Sequence, residues 1–215
     1  MYMNKKLFHG LILVSALLAI AVDLFEYKTL FFFFKPLTTA LIILLVFCFR
    51  YGGGNSYSNS ILMGLLFCLA GDVFLLSSDF FVYGLGSFLI GHLLFLKAFV
   101  KERGWYFPIE VGIPLILFGG VLLWLCFPNL QRLSIPVILY MSVIILMSWQ
   151  GIALNRHSSQ KVFKRIGMAV TLFLLSDALI ALDKFYISFS FSGLLVLSTY
   201  WTAIFLLAES TTLKG

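Results

Sequence analysis

Apolar stretches close to the length of a membrane crossing recur from one end of the chain to the other, and they constrain its fold more than any other feature. A helix needs about 20 predominantly apolar residues to cross a bilayer. Charged or turn-rich breaks separate the stretches, among them RYGGGNSYSN (50–59), KERGW (101–105), FPNLQR (127–132) and NRHSSQK (155–161). Between breaks, eight helices are expected at 7–25, 31–49, 61–78, 80–99, 108–127, 134–154, 163–182 and 190–209. Only 11% of the residues are charged and 61% are hydrophobic, whereas soluble domains average about 25% charged. The expected fold class is therefore all-α: a polytopic bundle of eight transmembrane helices, forming a single integral membrane domain over 1–215.

Charge placement orients this bundle. With the N-terminus cytoplasmic, every Lys and Arg except Lys28, Lys35, Arg132 and Lys184 falls on the cytoplasmic side, Lys214 at the far end included; that is 11 of the 15. The positive-inside rule then favours both termini cytoplasmic, in the inner membrane if the source is bacterial. The net charge of +6 is a topology signal, and no nucleic-acid partner is expected. Lys5, Lys6 and Ala19-Ile20-Ala21 also give the first stretch the look of a signal peptide. Seven further stretches favour a first transmembrane helix. Cys48, Cys68 and Cys126 lie in apolar runs without CxxC spacing, so they read as packing residues.

Against this background the carboxylates stand out. GDVFLLSSDF carries Asp72 and Asp79, and SDALIALDKF carries Asp177 and Asp183. An ionisable group inside an apolar span is costly and marks a functional site by default. Each inner aspartate lies roughly 10 Å below the outer surface at 1.5 Å per residue. Tyr140 is expected near that level, with His92 and Tyr200 closer to the midplane, so polar groups from several helices converge in the outer half. Asp79 and Asp183 fall at the interface, where carboxylates are solvated. Lys35 stands at the outer mouth. His9 and His157 fall at the other end from His92, so no three-histidine metal site is expected. Neither a G-x-S-x-G elbow nor a glycine-rich phosphate loop is present in a suitable context. Carboxylate chemistry without metal or cofactor remains.

The motifs GDVFLL, FVYGLGSFLIGHLLF, PVILYMSVIILMSWQG, FLLSDALIALDKF and TYWTAIFLLA resemble, in order and spacing, the YhhN family of membrane lysoplasmalogenases. The likeness runs from the Lys-Pro pair at 35–36 to about residue 208. It implies an eight-helix ether hydrolase that cleaves the vinyl ether of lysoplasmenyl-ethanolamine or -choline to a fatty aldehyde and the glycerophospho-alcohol. It also implies catalytic roles for Asp72 and Asp177, and carries the family's histidine and lysine onto His92 and Lys35 at the substrate. From their own placement Tyr140, Ser176, Lys184 and Tyr200 are expected at the substrate as well. Two positions depart from the family pattern: Ile204 stands where glutamine is usual, and Asp183 where asparagine is commoner.

Vinyl ether hydrolysis starts with proton transfer to the β-carbon and passes through an oxocarbenium ion. It needs a carboxylic acid protonated near neutral pH and a carboxylate to offset the cation, a division of labour parallel to that of glycosidases. Asp72 and Asp177 are expected within roughly 10 Å of each other across one cavity, which opens to the outer side with Lys35 on its rim. Which of them is the acid stays open. A proton-coupled transporter would use the same buried aspartates, but it would carry broken helices at its site; the prolines here read as lying towards helix ends.

Overall fold

The computed structural model describes residues 4–157 and 160–213, His157 by its backbone alone; Lys214 lies outside the described residues. Among these, eight α-helices follow one another: α1 (Lys5–Leu24), α2 (Lys28–Phe49), α3 (Ser56–Phe74), α4 (Phe81–Arg103), α5 (Ile109–Leu130), α6 (Ser134–His157), α7 (Lys161–Phe185) and α8 (Ser192–Ser210). Seven stretches are long and apolar enough to cross a membrane, and one of them, Ile109–Arg156, spans α5 and all but the last residue of α6.

The helix ends depart from the hydropathy reading where local chemistry overrides it. Asn55 and Ser58 form a reciprocal capping box, so the polar segment SYSNS is the first turn of α3. The expected start at 61 was five residues late. At its other end α3 stops at Phe74, where Leu75, Leu76 and Ser77 turn the chain back through bonds to Gly71, Val73 and Phe74 carbonyls. Asp72 therefore lies in the last turn of its helix, closer to the helix end than expected. α2 begins at Lys28, which places Pro36 inside the helix rather than near its start. Pro114 is likewise interior to α5. α7 runs to Phe185 and carries Asp183 and Lys184 in its last turn.

Packing is set by small residues. α3 and α4 form the expected hairpin, and a Cβ at Gly91 would stand 3.1 Å from the Gly64 carbonyl oxygen. Such backbone approach is how helices associate where water does not drive them together. Between α2 and α3, Gly52, Gly53 and Gly54 all take positive φ (67°, 74°, 113°), which side chains rarely adopt. The outer faces of α1 and α5 expose Leu13, Leu17, Ile113, Leu117 and Trp124, while Thr38, Thr39, Asp72, His92 and Gln150 are buried. Apolar outside and polar inside is the arrangement a lipid solvent demands.

Two polar ends result. The start of α1 meets the end of α8 through Lys5 Nζ and Glu209, 2.9 Å apart. His9 and Arg165 join the same carboxylate at 3.1 Å each. At the opposite end α1, α2, the α3–α4 corner, α7 and α8 surround a charged vestibule.

Candidate functional site

Periodicity explains which side chains meet at the vestibule end. On α3, Gly64, Cys68 and Asp72 recur every four residues and share one face. On α2, Lys35 and Thr39 do the same. On α7, Asp177, Ile180 and Lys184 lie along one stripe, with Asp177 about 10 Å from Lys184 along the axis.

Asp72 is 1% exposed and is the hub of a hydroxyl network. Thr39 Oγ1 donates to its Oδ2 at 2.6 Å, and Tyr200 OH donates to the same oxygen at 2.8 Å. Trp201 Nε1 in turn donates to Thr39 Oγ1 at 3.3 Å. Lys35 lies within Coulombic range of Asp72 and of Asp23. Thus α2, α3 and α8 are tied at one buried carboxyl.

Asp177 has different surroundings. Tyr140 OH donates to its Oδ2 at 2.6 Å. His92 Nε2 stands 3.8 Å from the same oxygen, beyond hydrogen-bond length. His92 is fully buried, and among the described residues neither ring nitrogen has a hydrogen-bond partner. Its ring sits edge-on to Phe173 and Tyr140, with centroids 4.6 and 5.3 Å away. Asp177 and Tyr140 are the polar side chains in the wall of an otherwise apolar pocket bounded by the α3–α4 corner, α4, α5, α6 and α7. Its cavity volume is about 60 Å³.

The pocket and the vestibule share Leu75, Phe81 and Ile180 as walls. The vestibule adds Lys35, Lys184, Asp23 and Asp183. An apolar compartment and a charged compartment therefore meet one turn beyond Asp177.

The residues expected at the site divide between these places. Asp177 and Tyr140 line the pocket, with His92 against them; Lys35 and Lys184 line the vestibule. Asp72 and Tyr200 line neither cavity and lie behind the wall. No hydrogen bond joins the two aspartates among the described residues; Cys68 lies within Coulombic range of both. Ser176 also lines neither, because its hydroxyl donates to the Val196 carbonyl at 3.1 Å and ties α7 to α8. Sequence reasoning missed Thr39, Trp201, Cys68 and Asp23. The four-residue spacing of Lys35 to Thr39 and of Cys68 to Asp72 was the available signal for two of them.

Comparison with known proteins places this arrangement in context. The chain matches the YhhN family over residues 30–211. It is similar to lysoplasmalogenase TMEM86A of Bos taurus, 31% identical over 160 residues, covering 71% of this chain and 65% of the bovine protein. Lysoplasmalogenase TMEM86B of Rattus norvegicus is 31% identical over 174 residues, 79% of this chain and 69% of the rat protein. The uncharacterized membrane protein YhhN of Escherichia coli O157:H7 is 28% identical over 117 residues, 54% of this chain and 55% of that protein. The chain thus spans about two thirds of the two mammalian relatives' length. No solved structure matches the chain.

Proposed function

The chain belongs to the YhhN family, and from that membership and the geometry of the pocket we propose that it is an integral membrane hydrolase of lysoplasmalogens. The whole chain forms one membrane domain of eight crossings with both termini cytoplasmic. The Ile109–Arg156 stretch supports two of these crossings, because its 48 residues would extend about 70 Å as one helix against a hydrocarbon thickness of about 30 Å. Gln131, with φ of 46°, breaks it.

The observation that carries the function is Asp177 in the wall of an apolar pocket that shares Leu75, Phe81 and Ile180 with a charged vestibule. A lysoplasmalogen has the same order: an apolar chain, a vinyl ether, then a glycerophosphate head. With the chain in the pocket and the head in the vestibule, the vinyl ether lies beside Asp177. Tyr140 holds Oδ2, which leaves Oδ1 to carry the proton. Asp177 donates it to the β-carbon; the double bond supplies the electron pair, and the cation forms between the α-carbon and the ether oxygen. Water adds to the α-carbon and gives its proton to the Asp177 carboxylate, with His92 able to bond that water. The hemiacetal then loses its hydroxyl proton, its bond to the glycerol oxygen breaks, and that oxygen is protonated. Aldehyde and alcohol leave, and Asp177 is again the acid.

Asp72 accepts two hydroxyl bonds and has Lys35 near it. These are the surroundings of a carboxylate, and its charge offsets the cation from behind the wall. The test is purified protein in detergent given a lysoplasmalogen and its saturated alkyl-ether analogue. Aldehyde from the first substrate alone is the expected result; aldehyde from neither defeats the proposal.

A further inference from the structure

We infer that the vestibule is a head-group site in which Lys35 and Lys184 take the phosphate while Asp23 and Asp183 take a primary ammonium. This rests on the reading of the apolar pocket as the site of the substrate's chain.

Four charged side chains from three helices line this one cavity, two of each sign. Among the described residues, none of them forms a salt bridge with any partner. The other end of the bundle behaves differently, since Glu209 there draws in Lys5, His9 and Arg165. Lys35 is only 8% exposed and makes no hydrogen bond among the described residues. Asp72 and Asp23 lie within Coulombic range of it but not at ion-pair distance; a buried ammonium that lacks a bonded partner is expensive, so a ligand oxygen that supplies one completes it. The carboxylates are held in place as well. Asp183 Oδ1 accepts from the Phe189 amide at 3.2 Å, leaving Oδ2 free. Asp23 lies against Gly193, where any side chain would overlap its Oδ2.

The same geometry selects among ammonium groups. A trimethylammonium has no N–H to donate and is characteristically held on open aromatic faces. Both aromatic rings of the vestibule already carry a protein cation: Lys184 Nζ stands 4.1 Å from the Phe81 centroid, and Lys35 Nζ stands 5.7 Å from that of Phe31. A primary ammonium instead donates to the two carboxylates in charge-assisted bonds. Glu26 and Lys28 line a smaller depression that also includes Asp23 and Phe31, and their charges cancel. A lysolipid bearing only a phosphate meets the lysines but also two uncompensated carboxylates.

The test uses binding, so that it stands apart from turnover. Saturated alkyl-ether lysolipids with phosphoethanolamine, phosphocholine or bare phosphate heads are titrated against the purified protein in one detergent. The expected order places the phosphoethanolamine lipid about tenfold tighter than either other, the size of one charge-assisted hydrogen bond. Asp183→Asn, alone and with Asp23→Asn, should remove that preference, while Lys184→Gln should weaken all three lipids alike. Melting temperatures of each variant identify lost folding, and the single Asp183→Asn stands in if the double variant unfolds. Equal binding of the three heads by the wild type overturns the inference, as does a preference that survives in Asp183→Asn at unchanged melting temperature. Failure of aldehyde release with head-group preference intact would instead sink the hydrolase reading and leave this site standing.

Discussion

Asp72 and Asp177 look like twins in sequence, each following a small residue near the end of an apolar run, yet the fold gives them unlike neighbours. Asp72 is enclosed by Thr39, Tyr200 and Lys35 and lines neither the apolar pocket nor the vestibule. Asp177 has one hydroxyl donor, an unpartnered histidine at 3.8 Å and an apolar pocket in front of it. Neighbours that satisfy a carboxylate tie it to a structural and electrostatic task. A carboxyl left with an open oxygen beside an apolar cavity is free to do chemistry on what enters.

The comparison is most exposed to Asp177→Asn, which keeps shape but removes the transferable proton. It should cost 10² to 10⁴-fold in aldehyde release, the usual contribution of general acid–base catalysis. Asp72→Asn still accepts from both hydroxyls and loses only the charge. It should cost about tenfold to a hundredfold, or 1.4–2.8 kcal/mol of barrier. Equal losses in the two variants would erase the distinction between them. Tyr140→Phe, removing the one donor to Asp177, should lower turnover more than Tyr200→Phe, because Thr39 still serves Asp72 in the latter; rates of both variants under saturating lipid decide it. The smallest effect on activity is expected at Glu209, the buried carboxylate that holds Lys5, Arg165 and His9. Glu209→Gln leaves Lys5 and Arg165 without their counter-charge, so it should lower the melting temperature by several degrees with little change in turnover.

The helical framework was legible because the bilayer length imposes itself on composition, and each expected helix appears within a few residues of its place. The errors arose where hydropathy is blind. A polar first turn capped by Asn55 and Ser58 looks like a loop, and Pro36 inside α2 looks like a helix start. The candidate site was partly legible, since an aspartate, a histidine or a lysine in an apolar run announces itself. Thr39, Cys68 and Trp201 did not, because hydroxyl, thiol and indole groups are ordinary in such helices. What sequence could not supply was rotation about the helix axis. Ser176 and Asp177 are neighbours in the chain, yet one is bonded to α8 and the other lines the pocket.

The central claim is that a carboxyl in the apolar pocket protonates carbon, and hydrolysis of a lysoplasmalogen in heavy water with the aldehyde trapped as it forms addresses it directly. The account predicts a single solvent deuterium on the carbon next to the carbonyl, with the deuterated product falling away in Asp177→Asn in parallel with total turnover. Aldehyde released without solvent deuterium would mean that the ether bond breaks by another route, and Asp177 would lose the role assigned to it.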